Sequence, residues 1–448
     1  MSIFRAYDIR GVFPDQLNEE LSYKIGLAFG RFLGKGKVAL GMDVRKSSPV
    51  LKEGLLKGLI ESGLGVIDIG VVPTPLLYFT VAHEKLDGGL MITGSHNPKE
   101  YNGVKLCGKN GVCLSYETGI GEVEKLVKGG VVSPKLKGEV EEKRMEKYYI
   151  NFVTGSVKFG RPLKIVIDAG NGVAGSVSTR IFRKLGCEVI ELNCKPDGEF
   201  PNHHPDPLVR ENLKQLQAKV KETEADLGIA YDGDGDRVGF VNERGEILEN
   251  NRAFALIIEN VLKTNPGGKI IYEVLASKLV EDVIRKMGGI PVISRVGHSY
   301  IQRKMFEEGA LLGGETSGHY YFRESNNYDD GIYASVKLAE LLSSSKKPVS
   351  ELESSLPEYV TSDETRIYCP DEKKFDVVER LRGKFRGIGK VITIDGVKVV
   401  LENSWFIVRA SNTQPALVLR WEAKDKKEFE RLEKFVREEV EKEVKSIS

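Results

Sequence analysis

The segment from Asp232 to Asp236 places three carboxylates at alternate positions, with Gly233 and Gly235 between them. Glycine tolerates backbone conformations that other residues avoid, so the segment can turn tightly and its acidic side chains can converge. Converging carboxylates repel one another and raise one another's pKa unless a cation neutralises them. Oxygen ligands suit a hard divalent cation, Mg²⁺ or Ca²⁺. The spacing therefore predicts a metal site formed by Asp232, Asp234 and Asp236.

A second candidate is Ser95, which follows Gly94 in the segment 93–98. The glycine permits close approach of the backbone to a ligand. The frame around Ser95 is not Gly-x-Ser-x-Gly, so it does not match the nucleophile elbow of esterases. A serine–histidine pair with His96 is disfavoured, because side chains of adjacent residues rarely face each other. A metal at the aspartate segment could reach a phosphate on Ser95, so we interpret this serine as a phosphate carrier.

Two further segments offer groups that suit a phosphate and a sugar. An arginine fork with hydroxyl and backbone N–H groups fits a phosphate dianion. A carboxylate in a glycine-containing loop can accept hydrogen bonds from two adjacent hydroxyls. Single histidines are more ambiguous, since they are as often structural as catalytic. The residues are Arg409, Ser411, Asn412, Thr413 and Arg420 for the phosphate, Glu315 and Ser317 for the sugar, and the histidines His298 and His319.

Three of these segments follow the strands of an internal repeat. Each copy has three apolar strands alternating with helical segments, a pattern typical of parallel sheets covered on both faces. The predicted strands are 38–42, 66–69 and 89–92 in the first copy, 164–167, 188–192 and 227–230 in the second, and 269–273, 291–294 and 310–312 in the third. The loops after the third strands contain Ser95, Asp232 and Glu315. Ligand sites in open α/β sheets lie at the carboxyl ends of strands, so we expect these loops to form one site.

The pattern changes near Thr361, where a charged, strand-rich segment leads to a helix after Asp425. We therefore predict an α/β fold with three repeated α/β domains, whose sheets are mixed but mostly parallel, and a C-terminal α+β domain. The first three domains would carry the phosphate carrier, the metal site and the sugar-recognition residues, and the last would bind phosphate. The predicted domains are residues 1–149, 150–250, 251–358 and 359–448.

Composition narrows the classes of function. Lys and Arg number 66 and Asp and Glu 65 among 448 residues, which argues against nucleic-acid binding because that usually needs a basic excess. Five cysteines without a CxxC pair argue against a disulfide framework or a zinc knuckle and fit a reducing compartment. The first residues do not resemble a signal peptide, and no apolar run approaches the roughly 20 residues of a membrane span. We expect a cytoplasmic protein without a membrane or nucleic-acid partner; monomer and homo-oligomer both stay open.

Together the four segments resemble those of the α-D-phosphohexomutase superfamily, specifically its phosphomannomutase/phosphoglucomutase branch. The resemblance runs from residues 4–11, Phe-Arg-Ala-Tyr-Asp-Ile-Arg-Gly, to the loop that begins at Arg409. It implies four domains around a central cleft, a phosphoserine at Ser95, and Mg²⁺ held by that phosphate and the three aspartates. By matching positions it also places these residues in or beside the cleft: Tyr7, Arg10, His96, Asn97, Lys105, Arg237, Arg252, His298, His319 and Arg420.

The resemblance implies an isomerase that interconverts hexose 1-phosphate and hexose 6-phosphate. Ser95 would give its phosphoryl group to O6, form a hexose 1,6-bisphosphate, and recover phosphate from O1. Glu315 could bind O3 and O4 in both orientations of the sugar. Mannose and glucose differ at position 2, to which this scheme assigns few contacts. We therefore expect sugar phosphates as partners and activity on both sugars. The implied catalytic residues are Ser95, His96, Lys105, Arg237 and His298, with Lys105 or His298 handling the hydroxyl proton.

The substrate is the main open point. Residues 295–300 and 411–413 favour the phosphomannomutase branch, because phosphoglucosamine mutases tend to carry different residues in both places. Leu275 lies where two-substrate relatives often place a cleft lysine, a role that Lys278 could take. The alternatives are a phosphoglucosamine mutase, a metal-dependent phosphatase with Asp232 as nucleophile, and a non-catalytic sugar-phosphate sensor.

Overall fold

The structure of the protein is a computed structural model that describes residues 2–411 and 415–447. Across those residues the strands form four sheets, each built from one continuous stretch of the chain. The first three sheets contain both parallel and antiparallel strand pairs, whereas the strands of the fourth pair only in the antiparallel sense. The predicted α/β fold, three α/β units followed by a C-terminal α+β unit, is confirmed. We call these units 1 to 4.

Unit 1 contains a six-stranded sheet in the order β1-β5-β4-β2-β3-β6. Its strands are β1 (Ile9–Val12), β2 (Lys37–Met42), β3 (Gly65–Val71), β4 (Gly88–Ile92), β5 (Tyr101–Gly108) and β6 (Val140–Glu142). Its helices are α1 (Glu19–Leu33), α2 (Ser48–Glu61), α3 (Thr74–His83), α4 (Gly121–Lys128) and α5 (Glu146–Gly155), the last of which leads into unit 2.

Unit 2 contains a five-stranded sheet in the order β11-β10-β9-β7-β8, and unit 3 a four-stranded sheet in the order β13-β12-β14-β15. The elements of unit 2 are β7 (Lys164–Asp168), α6 (Gly175–Lys184), β8 (Glu188–Leu192), α7 (Lys214–Thr223), β9 (Leu227–Tyr231), β10 (Val238–Asn242) and β11 (Ile247–Leu248). Those of unit 3 are α8 (Asn250–Thr264), β12 (Lys269–Glu273), α9 (Lys278–Lys286), β13 (Ile290–Ser294), α10 (His298–Glu308), β14 (Leu312–Gly314), β15 (Tyr320–Phe322), α11 (Gly331–Ser344) and α12 (Val349–Ser354).

The three α/β units share one strand order. In each, a central strand (β2, β7 or β12) pairs in parallel with two others, one of which (β4, β9 or β14) also pairs with an antiparallel strand (β5, β10 or β15). All residues of β4, β9 and β14 are buried, as expected for strands covered by helices. Each connection to the antiparallel strand is therefore a loop at the carboxyl end of a buried strand. These loops contain Ser95, Asp232 and Glu315, so the predicted repeat is confirmed.

One strand differs from the sequence prediction. The sequence predicts residues 310–312 as the third strand of unit 3, but β14 comprises Leu312–Gly314. Two of the three residues of β14 are glycines. Because glycine is depleted in strands, the sequence does not predict a strand at these positions. A Cβ on Gly314 would lie 2.5 Å from the ring of Phe254 on α8. The glycine is thus needed for close packing of the helix on the strand, and the prediction is wrong by two residues.

Unit 4 is an antiparallel sheet with two helices. Its elements are β16 (Val360–Thr361), β17 (Thr365–Tyr368), α13 (Lys374–Lys384), β18 (Lys390–Ile392), β19 (Val397–Val400), β20 (Ser404–Ala410), β21 (Ala416–Ala423) and α14 (Lys426–Ile447). Apolar side chains of α13 and α14 pack with those of the strands in a core separate from the rest of the protein. Segregated helices on an antiparallel sheet are the mark of an α+β unit.

The largest apolar cluster extends through units 1, 2 and 3. Within it the ring of Phe152 on α5 lies 5.4 Å from Phe79 on α3 and 5.8 Å from Tyr333 on α11, measured between ring centroids. Helix α5 continues through residues 148–151, where the sequence places its first domain division, and all the divisions stay a prediction. Among the helices of residues 2–411 and 415–447, none is both long enough and apolar enough to cross a membrane.

Candidate active site

Ser95 lies directly against the aspartate loop of unit 2. Its side-chain Oγ donates a 2.7 Å hydrogen bond to Asp232 Oδ2, and only 2% of the residue is exposed. The φ of Ser95 is +46°, in the left-handed region that residues other than glycine seldom adopt. Such conformations persist where the surrounding structure enforces them, commonly at functional sites. The two loops that carry the predicted phosphate carrier and metal ligands are therefore in contact.

His96 does face Ser95, contrary to the expectation from the sequence. Its Nδ1 lies 3.1 Å from Ser95 Oγ, because the left-handed conformation of Ser95 brings the two neighbouring side chains together. The positive charge of Arg237, followed by burial, holds the pKa of His96 far below its usual range. The imidazole is thus neutral and a weak base, which does not suit the general base of a serine hydrolase.

The three aspartates form a fully buried cluster. One carboxylate oxygen from each of Asp232, Asp234 and Asp236 lies within 4.8 Å of the others. Gly235 has a φ of +75° and is needed for this turn, whereas a Cβ on Gly233 would lie 2.5 Å from Ser95 O, so Gly233 is needed for the close approach of the Ser95 loop. Burial, Asp236 and Asp234 raise the pKa of Asp232 well above its usual range. The cluster is unfavourable without a cation, as its spacing predicts.

The donor set fits a hard divalent cation. Asp234 Oδ1 and Asp236 Oδ1 are buried and accept no hydrogen bond from the residues that the structure describes; Asp236 Oδ1 lies 3.4 Å from the charged His319 Nε2, and Asp234 Oδ1 has no such neighbour among those residues. Buried carboxylate oxygens are costly unless a charge or a donor satisfies them. Asp232, Asp234 and Asp236 could therefore hold a metal ion beside Ser95 through oxygen ligands.

Lys105 brings a positive charge to the same cluster from β5. Its Nζ lies 3.2 Å from Asp234 Oδ2 and forms a closer ion pair with Asp236. Burial lowers the pKa of Lys105, but the charges of Asp234 and Asp236 outweigh burial and raise it above the usual range. Lys105 is therefore held in its charged form and partly neutralises the cluster.

Two histidines of unit 3 differ in charge. Burial, reinforced by Lys105 and His319, lowers the pKa of His298 to about 4, so this imidazole is neutral near pH 7. Burial and Arg237 also lower the pKa of His319, but Asp236 and Glu315 outweigh them and raise it to about 10. Opposite shifts in adjacent groups are typical of sites that separate acid from base roles.

Glu315 is a buried, ionised carboxylate held at two points. Its Oε1 accepts a 2.9 Å hydrogen bond from the backbone N–H of Gly297, and its Oε2 accepts one of 2.5 Å from Tyr321 Oη. Burial alone would raise the pKa of Glu315, but hydrogen bonding and charge from His319 lower it to about 2. Ser317 Oγ lies 2.9 Å from His319 Nδ1, which links the serine to the same group.

The described phosphate-binding candidates of unit 4 contact other groups of the protein. Arg409 forms an ion pair with Asp395, with Nη2 3.2 Å from Oδ2 and Nε 3.3 Å from Oδ1. Arg420 Nη1 donates to Leu275 O at 3.4 Å. Ser411 is buried and its carbonyl accepts a 2.6 Å hydrogen bond from Lys374 Nζ. The other two candidates, Asn412 and Thr413, lie outside the described residues.

A cavity of about 1010 Å³ opens between the units, and all four contribute to its wall. This is the central cleft that the sequence predicts. The predicted residues that line it are Tyr7, Arg10, Ser95, His96, Asn97, Lys105, Arg237, His298 and His319. The described candidates that are not on its wall are Asp232, Asp234, Asp236, Arg252, Glu315, Ser317, Arg409, Ser411 and Arg420.

Leu275 does not face a charged group of the cleft. It packs with Val274 against Trp405 and Ile407 of unit 4. Lys278, the residue that could compensate, pairs with Asp282 at 2.7 Å and is not on the wall of the cleft. The structure therefore brings no lysine from this segment to the cleft.

Several residues of the site carry no signal in the sequence. Lys374 lines the cleft from unit 4 although it begins an ordinary charged helix. Asp329 is buried beside His319, with Oδ2 4.0 Å from Nε2, and burial and Asp236 raise its pKa to about 7. The adjacent acidic pair Asp329 and Asp330, just before a helix, was the one available hint. Arg45 lies beneath the Ser95 loop and donates hydrogen bonds to its backbone carbonyl groups.

The chain matches known proteins along its length. Residues 1–130, 147–245 and 249–359 match the alpha/beta/alpha domains I, II and III of phosphoglucomutase/phosphomannomutase, and residues 364–439 match the C-terminal domain of the same family. The chain is 43% identical over 444 residues to phosphomannomutase/phosphoglucomutase of Pseudomonas aeruginosa, covering 98% of this chain and 95% of that protein. It is 42% identical over 439 residues to a phosphoglucomutase of Neisseria meningitidis, covering 96% and 95%.

A solved structure supports the same family assignment. The chain superposes on a phosphoglucomutase/phosphomannomutase family protein from Burkholderia thailandensis with a TM-score of 0.92 at 38% identity, covering 98% of this chain and 97% of that one. The predicted phosphohexomutase, an isomerase, is confirmed at the level of the family. By all four of its domains and by its full-length relatives, the chain belongs to the phosphoglucomutase/phosphomannomutase family.

Proposed function

We propose that this phosphohexomutase moves a phosphoryl group between O1 and O6 of mannose and glucose phosphates, with Ser95 as the carrier. The observation that carries this proposal is the 2.7 Å contact between Ser95 Oγ and Asp232, at the wall of a cleft lined by all four units. A phosphate carrier must be accessible to the sugar and must also lie close to cationic groups, because phosphoryl transfer depends on positioning and on neutralisation of the phosphoryl charge.

The transfer consists of two opposite half-reactions. In the first, the bond between phosphorus and Ser95 Oγ breaks as O6 of a hexose 1-phosphate forms its bond to phosphorus; the O6 proton passes to a base, and Ser95 Oγ gains a proton. The hexose 1,6-bisphosphate then turns in the cleft. In the second, Ser95 Oγ loses that proton and takes the phosphoryl group from O1, which receives a proton. An activating bisphosphate would serve as the source of phosphate for an unphosphorylated Ser95.

Asp232, Asp234 and Asp236, with the phosphate on Ser95, would hold Mg²⁺. When bound, the ion supplies positive charge beside the transferring group. Arg237 and Arg10 lie on the same wall, and Arg10 Nη1 donates to Gly94 O at 3.2 Å. Their guanidinium groups would neutralise the charge that develops on the phosphoryl oxygens. Tyr7, whose Oη donates to Val296 O at 3.0 Å, would complete the wall facing the sugar.

The sugar itself would be read by unit 3. Glu315 is ionised. Its Oε1 accepts one hydrogen bond and can accept a second from O3 or O4 in either orientation of the sugar, whereas Oε2 already faces Tyr321 Oη and, at 3.2 Å, His319 Nδ1. His319, charged beside Glu315, and Ser317 would support this contact. The loop from Arg409 to Thr413, with Ser411, Asn412 and Arg420, would hold the phosphate that does not react. To bind that phosphate, Arg409 would have to exchange its ion pair with Asp395 for one with the phosphate.

Of the two candidates for the base that takes the hydroxyl proton, Lys105 is charged and cannot accept a proton, whereas His298 is neutral and can accept one, as a weak base with a pKa of about 4. Replacing His298 with asparagine should lower kcat by roughly 10²–10⁴-fold, the usual contribution of general acid–base catalysis. Because its pKa is about 4, His298 should stay unprotonated and cause no loss of kcat between pH 8 and pH 6. Steady-state kinetics across this range would measure both effects.

The control for this substitution is His83→Asn, since His83 lies at the end of α3 and stacks on Phe79, outside the cleft. It should leave kcat unchanged. A wild-type kcat for His298→Asn would contradict the role of His298 and leave Lys105 as the group that moves the proton.

Sugar preference should be broad. With Mg²⁺ and an activating bisphosphate, we expect turnover of both mannose 1-phosphate and glucose 1-phosphate, with kcat/KM values within roughly tenfold, since discrimination requires a contact made to one sugar only. Parallel assays with these two substrates and glucosamine 1-phosphate would measure it. An enzyme inert toward glucose 1-phosphate would contradict the expectation, and a preference for glucosamine 1-phosphate would favour a phosphoglucosamine mutase.

A further inference from the structure

A buried arginine that the reaction scheme does not use lies directly beneath the Ser95 loop. Arg45 is in the turn between β2 and α2, and its side chain has no exposed surface. Its guanidinium donates to four backbone carbonyl oxygens, those of Ser95 (2.9 Å), Asn97 (2.6 Å), Pro98 (2.6 Å) and Tyr101 (3.0 Å). Buried carbonyl groups need partners. The planar five-donor fork of arginine satisfies four of them from one side chain.

Asp43 completes the arrangement from the other side of Ser95. Its Oδ2 accepts from Arg45 Nε at 3.1 Å and from the backbone N–H of Gly94 at 3.0 Å. The Arg45–Asp43 pair therefore holds the Thr93–Gly94 peptide group through its N–H and the Ser95–His96 peptide group through its carbonyl. A Cβ on Gly94 would lie 2.4 Å from the guanidinium carbon of Arg45, so only glycine allows this contact.

Unit 2 closes the opposite face of the guanidinium. The ring of Phe200 lies 5.2 Å from the guanidinium carbon, within the range of a cation–π contact. Phe200 has a φ of +51°, a strained conformation for an aromatic residue. The neighbouring Glu199 forms ion pairs with Lys46, which follows Arg45, at 2.6 Å and with Lys99 at 2.7 Å. Arg45 is thus held between the Ser95 loop and the unit that supplies Asp232.

We propose that Arg45 is a positioning residue that holds Ser95 in its left-handed conformation and so fixes the distance between the phosphate carrier and the aspartate cluster. Arg45 does not touch the sugar and is not on the wall of the cleft. It acts through the backbone carbonyl of Ser95, whose peptide group determines where Oγ points. This proposal rests on the proposed role of Ser95 as phosphate carrier.

The first test is Arg45→Lys. Lysine keeps the charge, but a tetrahedral ammonium with three donors cannot serve four carbonyl groups and Asp43 together. A displacement of about 1 Å at the reacting atom can cost on the order of 100-fold in rate, so we expect kcat to fall by about that factor with KM little changed. Phosphorylation of Ser95 by glucose 1,6-bisphosphate, followed by intact mass, should slow to the same degree. Because the aspartates are untouched, stabilisation by Mg²⁺ should persist.

The control for lost stability is Leu55→Ala. Leu55 is fully buried on α2 in the apolar core of unit 1, to which no residue of the segment 93–98 belongs. Its truncation should lower the thermal midpoint yet leave kcat and the rate of phosphorylation of the folded protein unchanged. A role of Arg45 in stability alone would make Arg45→Lys behave in the same way as Leu55→Ala.

The second variant, Gly94→Ala, perturbs the same contact from the loop and covers the case in which Arg45→Lys does not fold. Gly94 does not have a positive φ, so alanine is compatible with its backbone and acts by displacing the guanidinium. It should reduce kcat and slow phosphorylation, and its effect should not add to that of Arg45→Lys, because both remove one contact. Wild-type kcat and phosphorylation rate in a folded variant, or fully additive losses, would overturn the proposal.

These outcomes separate the two proposals. If wild-type Ser95 accepts no phosphate from the bisphosphate, the proposed function fails and the role of Arg45 fails with it. If wild-type Ser95 accepts phosphate and the Arg45 and Gly94 variants do so equally fast, only the role of Arg45 fails.

Discussion

Replacing Ser95 with alanine should abolish the exchange of phosphate between the two positions of the sugar, because the group that carries the phosphate is lost. We expect kcat to fall on the order of 10⁴-fold or more, as when a covalent nucleophile is removed from other enzymes. The substitution removes one oxygen and its 2.7 Å hydrogen bond to Asp232, so the folded structure should persist. Conversion of glucose 1-phosphate to glucose 6-phosphate, with a thermal melt on the same sample, measures both statements.

The matched control is Ser22→Ala. Ser22 is a fully buried serine on α1 whose Oγ has no hydrogen-bond partner among the described residues. The Ser22→Ala variant loses a buried hydroxyl oxygen from the same unit as Ser95→Ala does, and it should keep the wild-type kcat. Residual mutase activity in Ser95→Ala near the wild-type level would contradict the account. Retained hydrolysis of a sugar phosphate by Ser95→Ala would instead indicate a phosphatase with Asp232 as nucleophile.

The second large effect concerns the metal site. Replacing Asp234 with asparagine should lower kcat by roughly 10³-fold, because a ligand charge is lost where transition-state charge must be neutralised. Asparagine can still accept the 2.6 Å hydrogen bond from Thr74 Oγ1, so the local fold should persist. Lys105 loses its ion pair with Asp234 but keeps the closer one with Asp236, and one of three mutually repelling buried carboxylates is removed, so the metal-free protein should be about as stable as the wild type.

A readout besides activity is the stabilisation that Mg²⁺ provides. A ligand that binds only the folded protein stabilises it by about 2.7 kcal/mol at 100 times its Kd. Titration of Mg²⁺ in thermal melts should show this effect for the wild type and for Asp15→Asn, a change at an exposed aspartate. Asp234→Asn should lose most of it, and EDTA should remove both the stabilisation and the activity of the wild type. Equal stabilisation of Asp234→Asn by Mg²⁺ would rule out the aspartate loop as the metal site.

The strands that carry the site could be predicted because their sequences are simple. Buried strands covered on both faces are short runs of apolar residues, so β4 and β9 are recognised within one residue of each end. β14 is not, because Gly314 is required by Phe254, a residue about 60 positions earlier in the chain. Spacing along the chain cannot reveal a requirement set by a distant side chain.

The same reason explains which functional residues the sequence conceals. The alternating aspartates and glycines form a local pattern, so Asp232, Asp234 and Asp236 could be read directly. Arg45 binds mainly backbone carbonyl groups, which every residue possesses, so its partners leave no trace in the sequence. The contact between Ser95 and His96 depends on a left-handed backbone that a non-glycine residue rarely adopts. The backbone conformation and the charge state of a site depend on tertiary contacts, so they cannot be predicted from the local sequence, whereas the types of residue at the site can be.

The central claim is that Ser95 carries the phosphate, and the most direct test is intact mass with phosphosite mapping. Purified protein would be incubated with glucose 1,6-bisphosphate and Mg²⁺, then digested and mapped. We predict the addition of one phosphoryl group, located on Ser95, and its loss on incubation with excess glucose 1-phosphate. A phosphoryl group on Asp232, or no uptake by a preparation that turns over sugar phosphates, would contradict the account.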